Sequence, residues 1–113
     1  TTLTRAMLQA LGVQGRIKSP TYSLLESYTC NDLTIHHFDL YRFASAYEWE
    51  EAGFRELLSP NNLVIIEWAE KATACLPMPD VLITLTPQEE GRTLTLTAQT
   101  PQGVLCLTQL NMN

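Results

Sequence analysis

Basic residues are scarce in this sequence: seven Lys and Arg stand against twelve Asp and Glu in 113 residues, a formal charge of −5. The seven are scattered, which argues against a clustered grip on a nucleic-acid backbone, where Lys and Arg must gather to neutralise phosphates. Contact with RNA through a partner protein stays open. Cysteine is scarce too. Cys30, Cys75 and Cys106 are far apart, odd in number and form no C-x-x-C. Neither a zinc site nor a thioredoxin-like motif is indicated, and reduced thiols in a cytoplasmic setting are the expectation. No apolar run approaches the roughly 18 residues of a membrane-spanning helix. The opening residues also lack the basic, apolar and small-residue segments of a secretory signal. The two histidines, His36 and His37, are neighbours, and neighbours on a strand point apart. A metal site built on both is not expected.

The residues present are sufficient for one domain with a real core: 45% are hydrophobic and only 17% charged. Leu3, Met7, Leu8 and Leu11 recur at helical spacing and Gly12 stops the run. Residues 12–21 read as a loop. YSLLESYT (22–29) and LTIHHFDLYR (33–42) read as strands joined by a tight turn at CND, hence a hairpin. SAYEWEEAGFRELL (45–58) reads as a helix. Ser45 and Glu48 have capping-box spacing, Trp49, Leu57 and Leu58 share a face, and Gly53 is a candidate break. LVIIEW (63–68) has four apolar residues in succession, the mark of a strand buried on both faces in a parallel sheet. A helical or irregular stretch follows at AEKATACL. VLITLT (81–86) and RTLTLTAQT (92–100) alternate around PQEEG as a second hairpin, and VLCLTQL (104–110) reads as a third strand beside it. The mixture predicts a single α/β domain over residues 1–113.

Four features carry possible chemistry. Glu67 follows an apolar strand directly, so it stands at the carboxyl end, where open α/β sheets bind ligands and where a Walker-B-type acid handles magnesium; a solvated acid ending a strand is the ordinary alternative. His37 and Asp39 share one strand face, either as an acid–base pair or as hydrogen-bonded structure. Ser19, forced extended by Pro20, opens a loop that presents Thr21 and Tyr22. A hydroxyl there suits a switch-like phosphate or metal sensor, and equally an ordinary turn into a strand. Lastly, a helix starting on the first residues without an approach loop is odd, since its first N–H groups need partners. If Gly-Lys preceded Thr1, the helix would begin where P-loop helices begin; an arbitrary fragment edge explains the oddity as well.

Taken together and in this order, TTLTRAMLQALG, KSPTYSLLESY, HHFDLYR and IIEWAE resemble the TsaE (formerly YjeE) family, the small bacterial P-loop ATPases of tRNA threonylcarbamoyladenosine modification. The resemblance runs over nearly the whole chain. It implies a P-loop NTPase-like three-layer α/β domain with a mixed sheet and C-terminal antiparallel strands. It also implies ATP and Mg²⁺ as ligands, TsaD and TsaB as partners, and tRNA met only indirectly through that complex. Carried over residue by residue, Thr1 resembles the P-loop threonine whose hydroxyl binds magnesium, and Thr2 follows with its N–H toward the phosphates. Glu67 resembles the second magnesium ligand, and Asp39 the acid near the γ-phosphate that orients the attacking water. Thr21 falls on the switch-like loop, Trp68 packs beside the site, and Arg92 reaches toward the nucleotide. The first strand, the glycine-rich loop and its lysine do not precede Thr1, so the expectation is a fragment that binds ATP poorly. Two other readings are carried alongside: a P-loop kinase of a small metabolite, and a non-catalytic interaction module of the same complex. The kinase reading lacks the arginine-rich lid such enzymes carry.

Overall fold

The computed structural model describes residues 2–111, which fall into two compact units divided between Leu76 and Pro77. In the first, α1 (Thr2–Leu11) buries Thr4 and Leu8, one turn apart on one face. It ends where Gly12 turns left-handed, at φ 102°. The Gly12 N–H bonds Gln9 O at 3.1 Å and the Val13 N–H bonds Leu8 O at 3.0 Å, the paired closure that satisfies a helix's last carbonyls. Val13 then joins Leu8 in the core.

Strands β1 (Leu25–Cys30) and β2 (Leu33–Asp39) form the expected hairpin, Cys30 opposite Leu33. Asn31 and Asp32 both take positive φ, 51° and 68°, as a two-residue hairpin turn requires. β1 begins three residues later than the alternation predicts. The chain first closes a turn in which the Leu24 N–H bonds Pro20 O at 2.8 Å, and Leu24 itself has φ 70°. β2 likewise stops at Asp39, not at residue 42, because the Asp39 carboxylate accepts the Tyr41 N–H at 2.9 Å and turns the backbone.

The predicted helix at 45–58 is broken at Gly53, φ 71°, into α2 (Tyr47–Ala52) and a 3-10 turn, Phe54–Leu57. Only half of the capping box forms. Glu48 Oε2 accepts the Ser45 N–H at 3.1 Å, while the residue at the cap is Ala46, which gives no side-chain bond. Strand β3 (Asn62–Glu67) pairs parallel to β2, Asp39 opposite Glu67. The order is β1-β2-β3. All six β3 residues are half-buried, where full burial was expected, because β3 is an edge strand among the described residues.

Alternation divides the core in two. Ile35, with Leu33, Leu63 and Ile65, packs on Leu8 of α1 and on Ile17. Phe38, with Val64 and Ile66, packs on Trp49, Phe43, Leu40 and Ala72. Phe38, Trp49 and Phe54 meet as a three-ring cluster with centroids 5.0–5.4 Å apart. Helical structure therefore covers both sheet faces, and each fully buried apolar side chain contributes about 2 kcal/mol.

The second unit is the hairpin β4 (Val81–Pro87) and β5 (Arg92–Ala98), followed by α3 (Pro101–Asn111). The third strand predicted at 104–110 is instead this helix. Thr100 Oγ1 accepts the Gly103 N–H at 3.1 Å as an N-cap, and Pro101 takes the first helical position, where its missing N–H costs nothing. The helix start lies against Asp80: Thr100 Oγ1 donates to Asp80 Oδ1 at 2.5 Å, and a Cβ on Gly103 would stand 1.9 Å from Asp80 O. Gly103→Ala is expected to lower stability by about 2 kcal/mol through this backbone clash, read as an earlier denaturant midpoint of the second unit, with Val104→Ala, an exposed control, leaving it in place.

Candidate functional site

The parallel pairing of β2 and β3 brings their carboxyl ends side by side. Asp39 and Glu67 are register partners there, on strands about 4.8 Å apart. Asp39 is buried and anchored: Oδ1 accepts the Tyr41 N–H at 2.9 Å and Oδ2 the Thr21 hydroxyl at a long 3.4 Å. Thr21 is in turn 2.9 Å from the Ser19 hydroxyl. The loop opened by Ser19-Pro20 thus delivers a hydroxyl to the acid. Glu67 is half-buried and bonded through Oε2 to His37 Nε2.

This pairing differs from the one the sequence offered. His37 and Asp39 do share a face, but His37 bonds to Glu67, two positions diagonally across on the next strand. Strand register decides it: with Ile65 opposite His37 and Glu67 opposite Asp39, the longer glutamate reaches back while the aspartate is taken up by its own turn. His36 faces the other way, 2.8 Å from Ser27 Oγ and 3.3 Å from Asn62 Nδ2. It is hydrogen-bonded structure.

The other expected residues divide. Thr1 lies outside the described residues. Thr2 is the exposed first residue of α1, and Arg92 the exposed first residue of β5, opposite Pro87. Trp68 follows Glu67 in a left-handed conformation, φ 60° and ψ 39°, which costs a non-glycine residue about 1 kcal/mol. Its half-exposed ring meets Tyr41 at 4.9 Å, and Lys71 Nζ stands 5.9 Å from the Tyr41 ring. Across the loop Arg42 lies 5.3 Å from the exposed Tyr22 ring, bordering an open cavity of about 490 Å³ floored by Leu24, Phe43 and Ala52. Glu48 and Glu51 line that cavity, whereas Asp39 and Glu67 do not.

The donor set is oxygen only: two carboxylates and a hydroxyl. That suits a hard cation such as Mg²⁺, which takes one or two carboxylates and fills its remaining positions with water and phosphate. Among the described residues no group of three or more His, Cys, Asp or Glu forms a cage of its own. The site therefore fits a shared magnesium ion better than a protein-enclosed metal. Burial by itself raises the Glu67 pKa. Hydrogen bonding and charge around its carboxylate, the hydrogen bond from His37 foremost, more than reverse this and bring it from 4.5 to about 2.

These features define a layered α/β domain with a mixed sheet and an acid pair at the ends of adjacent parallel strands, the position where such folds bind ligands. The profile of the family described as "Threonylcarbamoyl adenosine biosynthesis protein TsaE" matches residues 1–94, and the chain belongs to that family. A tRNA threonylcarbamoyladenosine biosynthesis protein TsaE from Haemophilus influenzae is 45% identical over 91% of this chain and 65% of its own length. The Rickettsia felis protein of the same name is 40% identical over 74% of this chain and 48% of its own. The chain thus spans less than two thirds of either relative. The crystal structure of Bacillus subtilis YdiB superimposes with a TM-score of 0.80 over 99% of this chain and 68% of that one, at 21% identity, and so shares the fold.

Since the Glu67 pKa is lower folded than unfolded, its ionisation stabilises the fold above pH 4.5, and that contribution is lost as the pH falls toward about 2. Glu67→Gln is expected to flatten the fall in stability across this window, measured by denaturant titration at stepped pH.

Proposed function

We propose that this chain is the nucleotide-handling part of an ATPase that serves tRNA threonylcarbamoyladenosine biosynthesis, working with TsaD and TsaB in the cytoplasm and meeting tRNA only through them. The observation that carries the reading is the register that sets Asp39 beside Glu67 at the strand ends, with Thr21 against Asp39. Family membership over residues 1–94 supplies the biological setting.

In this reading Asp39, Glu67 and Thr21, together with the Thr1 hydroxyl, hold Mg²⁺ and ATP. Bound there, the ion would neutralise the charge of the phosphates. The chain's own residues do the remaining work. Tyr41 and Thr21 fix both oxygens of Asp39, so that its carboxylate presents a preset acceptor to a water and orients it for attack. The Thr21 loop links that acceptor to whatever phosphate it senses. Thr2 at the head of α1 offers a backbone N–H that the helix itself does not use, and Arg92 is assigned to the nucleotide on resemblance alone.

A second reading, a non-catalytic docking module of the same machinery, draws on the exposed rings of Tyr22, Tyr41 and Trp68 with Arg42 and Lys71 over them, residue types that dominate protein interfaces. Calorimetry of Mg·ATP on this chain, and on the chain extended upstream through a G-x-x-x-x-G-K loop, separates the two. Binding by the extended form, far tighter than by the 113 residues alone, is expected. Binding by neither contradicts the ATPase reading and favours the docking module. In the extended form Asp39→Asn is expected to slow phosphate release about 100-fold and, because Asp39 also helps hold the ion, to weaken Mg·ATP binding.

A further inference from the structure

His37 takes no part in the chemistry just described, yet its surroundings single it out. The side chain is 1% exposed; on its face it lies between Ile35 and Asp39 on its own strand, with Ile65 opposite on β3 and Glu26 opposite on β1. Against Ile35 and Ile65 an aliphatic residue would pack without a polar group to satisfy. The ring has two polar atoms. Nε2 bonds Glu67 Oε2, and Nδ1, buried, meets no hydrogen-bond partner among the described residues. All the polar bonding of this buried ring is therefore directed at one carboxylate. A carboxylate only accepts, so the nitrogen facing it donates, and the ring carries its proton on Nε2.

We propose that His37 is a positioning residue for Glu67. Its Nε2–H holds the carboxylate alongside Asp39, in the arrangement a divalent cation shared by the two acids requires. This rests on the reading of the acid pair as a cation site. The two acids differ in what holds them: Asp39 is short and fixed by Tyr41 and Thr21, whereas Glu67 has one more rotatable bond and more freedom to lose. His37 does for Glu67 what the turn does for Asp39. A buried imidazole is suited to the task because its ring is rigid and is itself locked by packing in the Ile35–Ile65 layer. Hydrogen-bond partners of metal-binding carboxylates act in this way, and removing one weakens metal binding about 10-fold to 100-fold.

The test uses Mn²⁺ alone, titrated into the chain and followed by paramagnetic broadening of the Asp39 and Glu67 resonances. His37→Leu is expected to weaken Mn²⁺ binding about 10-fold or more, and His37→Gln, which keeps a donor at similar reach, to restore most of it. In a Glu67→Gln background His37→Leu should have no further effect. The imidazole nitrogen spectrum of the unaltered chain, taken without any ion, should show the proton on Nε2. A folded His37→Leu with unchanged Mn²⁺ affinity, or an Nε2 that carries no proton, overturns the positioning role. Should His37→Leu not fold, His37→Asn, too short to reach Glu67, replaces it: affinity equal to that of His37→Gln overturns the role, and weaker affinity supports it. A wild-type chain with its proton on Nε2 that takes up no Mn²⁺ overturns the cation-site reading, and the positioning role with it, so the two failures are distinguishable.

Discussion

Everything functional in this chain depends on one ladder, the parallel pairing of β2 with β3 that sets Asp39 opposite Glu67. Side chains alternate along a strand, so a slip of one residue would turn Glu67 toward Phe38 and Trp49 and bury a carboxylate among aromatic rings. The two hydrophobic layers exclude that slip. Leu63 and Ile65 belong with Leu8 and Ile35 on one face, Val64 and Ile66 with Phe38 and Trp49 on the other. The register is thus fixed by apolar packing within the sheet, and the acids are placed at its end as a consequence. The Leu40 N–H extends the ladder one step past the strand, bonding Glu67 O at 3.0 Å.

The site then forms where regular structure stops. Asp39 ends β2 by capturing the Tyr41 N–H, so the residue assigned to chemistry is also the residue that ends its strand. Just beyond Glu67, Trp68 takes a left-handed backbone, and Leu24, whose carbonyl accepts the Asp39 N–H at 3.1 Å, takes another. Each costs about 1 kcal/mol, less than the burial of a single core side chain such as Phe38 returns. Backbone strain of this kind collects where a scaffold must hold groups in a set position.

Much of this was legible from residues alone. The Leu8–Gly12 helix end, the CND turn, the break at Gly53 and the parallel character of LVIIE each follow from a local pattern that the packing reinforces. Asp39 and Glu67 were legible as strand-end acids. Their partners were not, because register is a long-range property: nothing local says that Glu67 lies two positions diagonally from His37. The same limit hid the full extent of the SPTY turn, whose closing bond from the Leu24 N–H to Pro20 O delays β1 beyond where alternation begins. At VLCLTQL the misreading was local. Apolar alternation suggested a strand, while Thr100 and Pro101 just ahead of it are a helix start, and that signal governs. The TsaE resemblance carried what spacing could not, the assignment of phosphate and magnesium roles.

The register itself is open to direct measurement by through-hydrogen-bond scalar coupling between the Leu40 amide nitrogen and the Glu67 carbonyl carbon in a doubly labelled sample. The account predicts a coupling between these two nuclei, which fixes the end of the β2–β3 ladder and with it the pairing of Asp39 and Glu67. A coupling from Leu40 to the carbonyl of Ile66 or Trp68 instead would shift the ladder by one residue, separate the acids and contradict the account.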